Sequence, residues 1–484
     1  MKRILKYLGL SLLILLLGMF VKTLFTQSLQ PKVAFIGPGA AIPGAEYRLA
    51  QVLRFQTISA ENNSLDSLKH AQLELLFTWM YQAYPLVFKN STVTAIGDSR
   101  LIEIKGQDPK LLPALMLAHL DVVPADTGIT GHWKFPPFSG TISQDTVYGR
   151  GALDDKSVAT AMLEALEDLL KSGKKPRRTI MLAFGHDEEI GGQDGAKKIA
   201  AYLSAKGIKA EFICDEGFGV MENLVPGVQN NVALIGVAEK GFVSAELTVA
   251  IPGGHSSMPK ADNATAILTK GLAAVENTTF LEELCAPQQG FFRHIAPEAS
   301  PLYRFLFSNL WMSAPAVKMV LSGNNKTAAT MRTTHATTII QAGDKENVMP
   351  GKARAVINFR ILPGQTIEGV KQQLIQTLDE PRITVRLLPD QTAPSDVSPD
   401  QGAAWDAIVK SIHQTYKNVV TAPALVIAGT DCKHYTAISA NIYRFVPLRL
   451  NSQNLEGIHG SDEKIALRNY QEAIGYYRLL FSNI

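Results

Sequence analysis

Four uninterrupted apolar runs alternate with segments of helical periodicity along the body of the chain. They are LLPALMLAHL (111–120), RTIMLAF (178–184), AEFICDEG (210–217) and APALVIAG (422–429). Runs of this kind are typical of strands that helices cover on both faces of a parallel sheet. The pattern predicts an α/β fold whose sheet is mixed but mainly parallel.

A second pattern separates the third run from the fourth. Between about residues 241 and 390, strand and helix patterns follow one another in the order βαββαβ, which is typical of a small ferredoxin-like domain. We predict an inserted lid domain at 241–390, between two parts of a catalytic domain at 46–240 and 391–484. Ligands favour clefts between domains. The aromatic-rich stretch PLYRFLFSNLWM (301–312) could line an acyl pocket, touch a membrane or pack internally.

The first 25 residues read MKRILKYLGLSLLILLLGMFVKTLF, a basic start followed by a nearly uncharged apolar run. No small-residue cleavage motif follows this run, and its length approaches the roughly 20 residues that span a bilayer. We therefore predict an uncleaved membrane anchor within residues 1–30 and a linker at 31–45. The basic flank places the body outside the cytoplasm, in a periplasm, a lumen or the extracellular space. Secretion after cleavage is the alternative.

Composition narrows the possible chemistry. The net charge of +3 in 484 residues lacks the basic surface that nucleic-acid binding requires. Cys214, Cys285 and Cys432 are too widely separated for a zinc-finger pattern. Any metal must therefore be held by histidine and carboxylates.

Candidate ligands follow the apolar runs, where a parallel sheet gathers its binding residues. His119 and Asp121 end the first run and share one face of an extended chain. Asp187, Glu188 and Glu189 follow the second run, and Asp215 and Glu216 close the third. A single acidic residue at a strand end is usually a helix cap, which is our interpretation of Glu216. Three coincident strand ends nevertheless indicate a metal site.

Another acidic pair, Asp154 and Asp155, precedes an amphipathic helical segment. These residues could cap that helix, although one aspartate would suffice for this role. Oxygen and nitrogen ligands without thiolate suit two borderline divalent cations, zinc above all, although cobalt or manganese could occupy the same ligands.

A family resemblance rests on eight ordered motifs: HLDVVP, GRGALDDK, GHDEEIGG, CDEG, GGHSSMP, NFRILPG, GTD and HGSDE. Together they resemble the di-zinc peptidase family of aminoacylase, carboxypeptidase G and succinyl-diaminopimelate desuccinylase. The motifs are most similar to the branch of carboxypeptidase S and the N-acyl amino acid hydrolases. The resemblance covers nearly all of the chain after about residue 46 and implies the zinc exopeptidase fold.

The resemblance implies a full set of roles. Asp154 would bridge two zinc ions, with His119 and Asp215 completing one site and Glu189 and His459 the other. Glu188 would be the general acid and base, and Asp121 would fix the tautomer of His119. The peptide bond after Asp154 would be cis. Further implied residues are His255 as a donor to the substrate carbonyl, and Asn347, Arg360, Gly429, Thr430 and Asp431 as substrate contacts.

Two of these roles have alternatives. Arg360 suits a bidentate grip on a substrate carboxylate, but it could instead form a structural ion pair. His255 could act in its own chain or in a partner, since the resemblance allows a homodimer formed through the lid.

The leading functional hypothesis is a zinc-dependent amidohydrolase that cleaves N-acyl amino acids or short peptides with a free carboxylate. Metal-activated water would attack the amide, with glutamate as the general base. The alternative is a dipeptidase or a Gly-X type carboxypeptidase. A non-catalytic, membrane-anchored metal-binding protein is a third hypothesis, but it leaves Asp121, Glu188 and His255 without a purpose.

Overall fold

The structure is a computed structural model that describes residues 2–60, 66–126, 132–260 and 262–484. Its strands are β1 (Thr92–Ile96), β2 (Ser99–Ile104), β3 (Ala114–His119), β4 (Thr141–Ser143), β5 (Thr146–Tyr148), β6 (Ile180–Gly185), β7 (Phe212–Met221), β8 (Asn231–Glu239), β9 (Gly241–Ala250), β10 (Gly254–His255), β11 (Thr334–Ala342), β12 (Val348–Met349), β13 (Lys352–Ile361), β14 (Ile383–Thr392), β15 (Val419–Val426), β16 (Ile442–Leu450) and β17 (Lys464–Ala466). Its helices are α1 (Lys2–Phe25), α2 (Ala45–Val52), α3 (Asp66–Ala83), α4 (Pro85–Lys89), α5 (Lys156–Lys171), α6 (Ala196–Ala205), α7 (Ala264–Glu276), α8 (Ala286–Ile295), α9 (Pro301–Ser308), α10 (Leu310–Ser322), α11 (Asn325–Ala328), α12 (Ile367–Leu378), α13 (Ala403–Thr415), α14 (Ser452–Leu455) and α15 (Leu467–Asn483).

The central sheet has eight strands in the order β1-β2-β6-β3-β7-β16-β8-β15. Its middle pairings, β6 with β3, β3 with β7 and β7 with β16, are parallel. Residues of α5, α13 and α15 share one core with the sheet, and residues of α6 share a separate core with it. The predicted α/β class is confirmed: the four apolar runs form β3, β6, β7 and β15.

The segment predicted to be βαββαβ folds in that order. Its four strands form an antiparallel sheet, β11-β13-β9-β14, which is separate from the central sheet. Alternate residues of β9 are buried, as expected for a sheet with one covered face. Helices α7 and α12 pack with this sheet around a core that includes Leu247, Leu268, Ile357 and Leu374.

The aromatic insertion joins the central sheet rather than the antiparallel one. Phe291 and Ile295 of α8 and Phe307 of α9 pack against Val420 and Ala422 of the edge strand β15. The rings of Phe292 and Phe307 also meet, with 4.8 Å between their centroids. Within the stretch 301–312, Phe307 of α9 therefore packs internally, whereas α10, which begins inside this stretch, exposes apolar side chains.

Helix α1 is the segment predicted to be a membrane anchor. Its stretch Arg3–Phe25 is long and apolar enough to cross a membrane, and nearly all of it is exposed. Only Met19 and Thr23 are buried on this helix among the residues whose side chains are described.

Candidate metal centre

Sheet order brings the predicted ligands together. Strands β6, β3 and β7 are neighbours in the central sheet. Strand β3 ends at His119, and Glu188 and Glu189 follow shortly after the end of β6. Parallel strands place such residues at one edge of a sheet. Asp154 lies just before α5, and the peptide bond between Asp154 and Asp155 is cis, as the family resemblance implied.

Two groups of metal-ligand type share Asp154. His119 Nε2 lies 2.9 Å from Asp154 Oδ1 and 3.8 Å from Glu216 Oε1. His459 Nε2 lies 3.1 Å from Asp154 Oδ2 and 3.1 Å from Glu189 Oε2. The two oxygens of Asp154 therefore face different groups, which is the arrangement that a bridging carboxylate needs.

Asp215 does not belong to either group, which differs from the ligand set expected from the sequence. Its carboxylate is buried and accepts the backbone N–H of Cys432 at 2.9 Å. Glu216 faces His119 instead, because neighbouring residues of a strand point to opposite faces. A bulge in β7 also affects the direction of these side chains. Asp215 pairs with Arg444 of β16, and Phe218 pairs with Phe445, so Glu216 and Gly217 have no partner in β16. Glu216 lies within β7, so the interpretation of this residue as a helix cap is wrong.

Asp121 contacts His119 and the backbone of Glu188 and Glu189. Its backbone carbonyl lies 2.9 Å from His119 Nδ1, and its carboxylate accepts the backbone N–H groups of Glu188 at 3.2 Å and Glu189 at 3.3 Å. Ser59 Oγ donates to the same carboxylate at 2.6 Å. Asp121 thus fixes both the ring of His119 and the turn that carries the two glutamates.

Two further carboxylates have structural roles. Asp187 accepts the backbone N–H groups of Asp194 and Gly195 before α6, so its carboxylate holds the loop that follows the two glutamates. Glu463 is fully buried and accepts from Arg150 and from the backbone of Gly151, Leu153 and Asp154. Sequence reasoning missed Glu463, although it lies within the quoted HGSDE motif.

Glu188 faces the cavity beside the two groups. This cavity has a volume of about 300 Å³, and Asp154, Glu188, Glu216 and His459 all line it. Burial raises the pKa of Glu188 well above its ordinary value, and the nearby charge of Asp431 acts in the same direction. A carboxyl group with a raised pKa can hold a proton between two steps of a reaction.

The loop after β15 is divided between the cavity and the interior. Gly429 and Thr430, two of the predicted substrate contacts, line the cavity. The Asp431 side chain turns inward and is only 5% exposed, so a role in contacting substrate is not supported by its position. A Cβ placed at Gly192 would lie 2.1 Å from Asp431 Oδ1, so glycine is required for the close approach of this loop.

The predicted lid residues lie apart from this cavity. His255 in β10 and Asn347 are close together, because the backbone N–H of Ser256 donates to the carbonyl of Asn347 at 3.2 Å. Both are exposed, and neither they nor Arg360 line the cavity. The guanidinium of Arg360 lies 4.9 Å from the ring centroid of Phe242, and no carboxylate pairs with it in the described part of the chain. The structural ion pair considered for Arg360 is therefore not observed.

The charge of the cavity floor suits cations. Burial opposes ionisation of Asp154, but hydrogen bonds from His119 and His459 outweigh it and lower the pKa of Asp154. Hydrogen bonds to Asp154 and Glu189 raise the pKa of His459 to about 10. The carboxylates thus stabilise positive charge between them, and the nitrogen and oxygen donors match borderline divalent metals.

The site combines imidazoles and carboxylates at the ends of neighbouring strands with a cavity that Glu188 lines. This combination is typical of a metal-dependent hydrolase. The chain belongs to the peptidase family M20/M25/M40, whose family model matches residues 115–483. It is therefore a hydrolase of amide bonds, an amidohydrolase or exopeptidase with small-molecule substrates.

Similar proteins include a "Probable carboxypeptidase S-like 2" from Dictyostelium discoideum, 36% identical over 97% of this chain and 92% of that protein. "N-fatty-acyl-amino acid synthase/hydrolase PM20D1.1" from Danio rerio is 37% identical over 83% of this chain and 79% of that protein. The fold is similar to that of an M20 family metallo-carboxypeptidase from Sulfolobus solfataricus. That match has a TM-score of 0.64 and 20% identity, and it covers 91% of this chain and 99% of the other.

Proposed function

We propose that the chain is an N-acyl amino acid amidohydrolase that uses two zinc ions. One ion would be held by His119, Asp154 and Glu216, and the other by Asp154, Glu189 and His459; cobalt or manganese could take the same ligands. Both groups offer nitrogen and oxygen donors around one shared carboxylate, which supports a pair of cations rather than one. Bound divalent cations supply the Lewis acidity that polarises an amide carbonyl and acidifies water.

The protein's own residues would move the proton and hold the substrate. The Glu188 carboxylate takes a proton from the attacking water and later donates it to the leaving amide nitrogen. Asp121 keeps Glu188 in place through the backbone N–H contact of 3.2 Å. The guanidinium of Arg360 would bind the substrate carboxylate, and Asn347, Gly429 and Thr430 would contact the rest of the substrate.

The observation that best supports an acyl substrate is the wall of the cavity. Apolar side chains line it together with Glu188 and with one or more members of each ligand group; these apolar residues are Phe218, Val426, Val446, Leu448 and Ile458. An apolar acyl chain would fill this space, whereas the charged amine of a dipeptide would lose its hydration there. The name of the Danio rerio relative agrees with this substrate class.

We expect kcat/KM to rise with acyl length when one amino acid is offered with a series of straight acyl chains. Each methylene buried in the cavity contributes ~0.8 kcal/mol, which corresponds to about a fourfold increase per carbon until the cavity is full. Dipeptides of matched size serve as controls in the same assay. A flat series in which dipeptides react fastest would instead support the dipeptidase or Gly-X carboxypeptidase alternative, which the name of the Dictyostelium discoideum relative favours.

We propose further that His255 donates to the substrate carbonyl oxygen as negative charge develops there. His255→Ala should lower kcat by about 10²- to 10³-fold, the usual effect of losing such a donor, with metal content intact. Loss of metal from this variant would contradict the assignment. A mixture of His255→Ala and Glu188→Gln chains that recovers activity absent from both would show that His255 acts across a homodimer.

We propose that α1 is an uncleaved membrane anchor and that the body lies outside the cytoplasm. Lys2, Arg3 and Lys6 precede the uncharged apolar run at 7–21, and basic residues at this end favour the cytoplasmic side. The contacts that Met19 and Thr23 make with the folded body support an anchor that is retained rather than cleaved.

A further inference from the structure

We propose that α10 is a membrane-docking helix, which lies in the bilayer interface beside α1 with its apolar face in the lipid. This inference rests on the proposed anchoring by α1. It assigns a role to the end of the aromatic stretch and to the helical residues that follow it, whose exposure internal packing does not explain.

The exposed face of α10 is entirely apolar. Its exposed positions are Trp311, Met312, Pro315, Ala316, Met319 and Val320. They recur at intervals that place them on one side of a helix. Trp311 is 61% exposed, Met319 73% and Val320 71%, which in water would be a costly arrangement for one helix face.

The polar atoms of α10 are directed towards the protein. Lys318 Nζ donates to the carbonyl of Glu282 at 3.1 Å, and Ser322 Oγ donates to the Glu282 carboxylate at 2.7 Å. Helix α12 shows a more usual arrangement in the same chain, because it exposes Glu368 and Gln372 and only one large apolar side chain, Ile375. Helix α10 thus exposes its apolar side chains and directs its polar atoms towards the protein, whereas aqueous solvent favours the opposite arrangement.

Direct contacts fix the start of α10 beside the anchor. Asn309 Nδ2 donates to the carbonyl of Met19 at 3.2 Å and to Thr23 Oγ1 at 3.0 Å. Arg304 donates to the carbonyl of Thr26 at 2.9 Å, just beyond the end of α1. Since a helix rises 1.5 Å per residue, Met19 lies only about 9 Å below the end of α1 at Phe25.

These contacts indicate a lipid bilayer as the occupant of the face. A surface fixed at the level of the last two turns of a membrane-spanning helix must meet the same bilayer. Tryptophan favours the membrane interface, and helices with an apolar face lie there in the plane of the membrane. A second copy of the chain is the competing occupant.

The test uses the full chain with Met319→Cys, labelled with an environment-sensitive fluorophore and reconstituted in phosphatidylcholine vesicles. The three native cysteines are buried, so the new thiol is the reactive one under native conditions. Glu368→Cys on α12 is the matched control, because position 368 is exposed, as position 319 is, but carries a charged residue in the native chain. Nitroxide-labelled phosphatidylcholine should remove most of the fluorescence at position 319 and little at position 368. Aqueous iodide should quench the two labels in the opposite order.

The possible negative results distinguish failure of the anchoring by α1 from failure of the docking by α10. A chain that fails to float with the vesicles would overturn the anchoring by α1 and this inference together. A floating chain whose label at position 319 escapes the lipid quencher would overturn this inference alone. Disulfide cross-linking of Met319→Cys chains without lipid quenching would identify a second copy as the occupant. None of these readouts requires catalysis, so they stay separate from the proposed activity.

Discussion

Glu188→Gln is expected to lower kcat by about 10²- to 10⁴-fold while the enzyme keeps its metal. Glutamine preserves the size of the side chain and its place in the cavity, but it cannot accept a proton from water. The substitution leaves the proposed ligands unchanged, so metal binding should persist; these are His119, Asp154, Glu189, Glu216 and His459. Turnover of an N-acyl amino acid and metal content per chain are the two measurements.

A control separates loss of the base from loss of charge. Glu368→Gln removes a carboxylate from the exposed surface of α12 and should leave turnover unchanged. Near-normal turnover in Glu188→Gln would refute the proton-transfer role. Loss of metal from this variant would make Glu188 a ligand instead of a base.

Glu216→Gln should lose metal from one of the two sites and most of its activity, whereas Asp215→Asn should keep both. Glu216 Oε1 lies 3.8 Å from His119 Nε2, and replacing a charged ligand with a neutral amide weakens a divalent site. Asparagine at position 215 keeps a side-chain oxygen that can accept the backbone N–H of Cys432, which donates to Asp215 Oδ2 at 2.9 Å. Metal content measured after gel filtration compares the two substitutions directly.

These two variants form a matched pair, because each exchanges one carboxylate for an amide of nearly the same shape. The opposite result, with metal lost from Asp215→Asn and retained in Glu216→Gln, would restore the ligand set expected from the sequence. Loss of metal from both would mean that Asp215 acts on the site through the loop that contains Cys432.

Much of the architecture was predictable because strands that are buried on both faces appear in the sequence as continuous apolar runs. Strands β3, β6, β7 and β15 are apolar runs, and the βαββαβ segment shows both of its periodicities. Strand β16 was not predicted, because Arg444, Pro447 and Arg449 interrupt its apolar pattern. Arg444 is nonetheless buried, and it pairs with Glu239 at 3.1 Å. Long-range ion pairs of this kind leave no periodic trace in the sequence.

The sequence by itself determined the fold class, the ligand chemistry and the proximity of His119 to Asp121, because each depends on residue types and short spacings. Tertiary structure decided that Glu216 rather than Asp215 faces His119, because a bulge against β16 sets the direction of both side chains. It also brought His459 from a distant loop to Glu189, and it set the apolar face of α10 beside α1. Such placements depend on contacts between segments far apart in the chain, which no local pattern records.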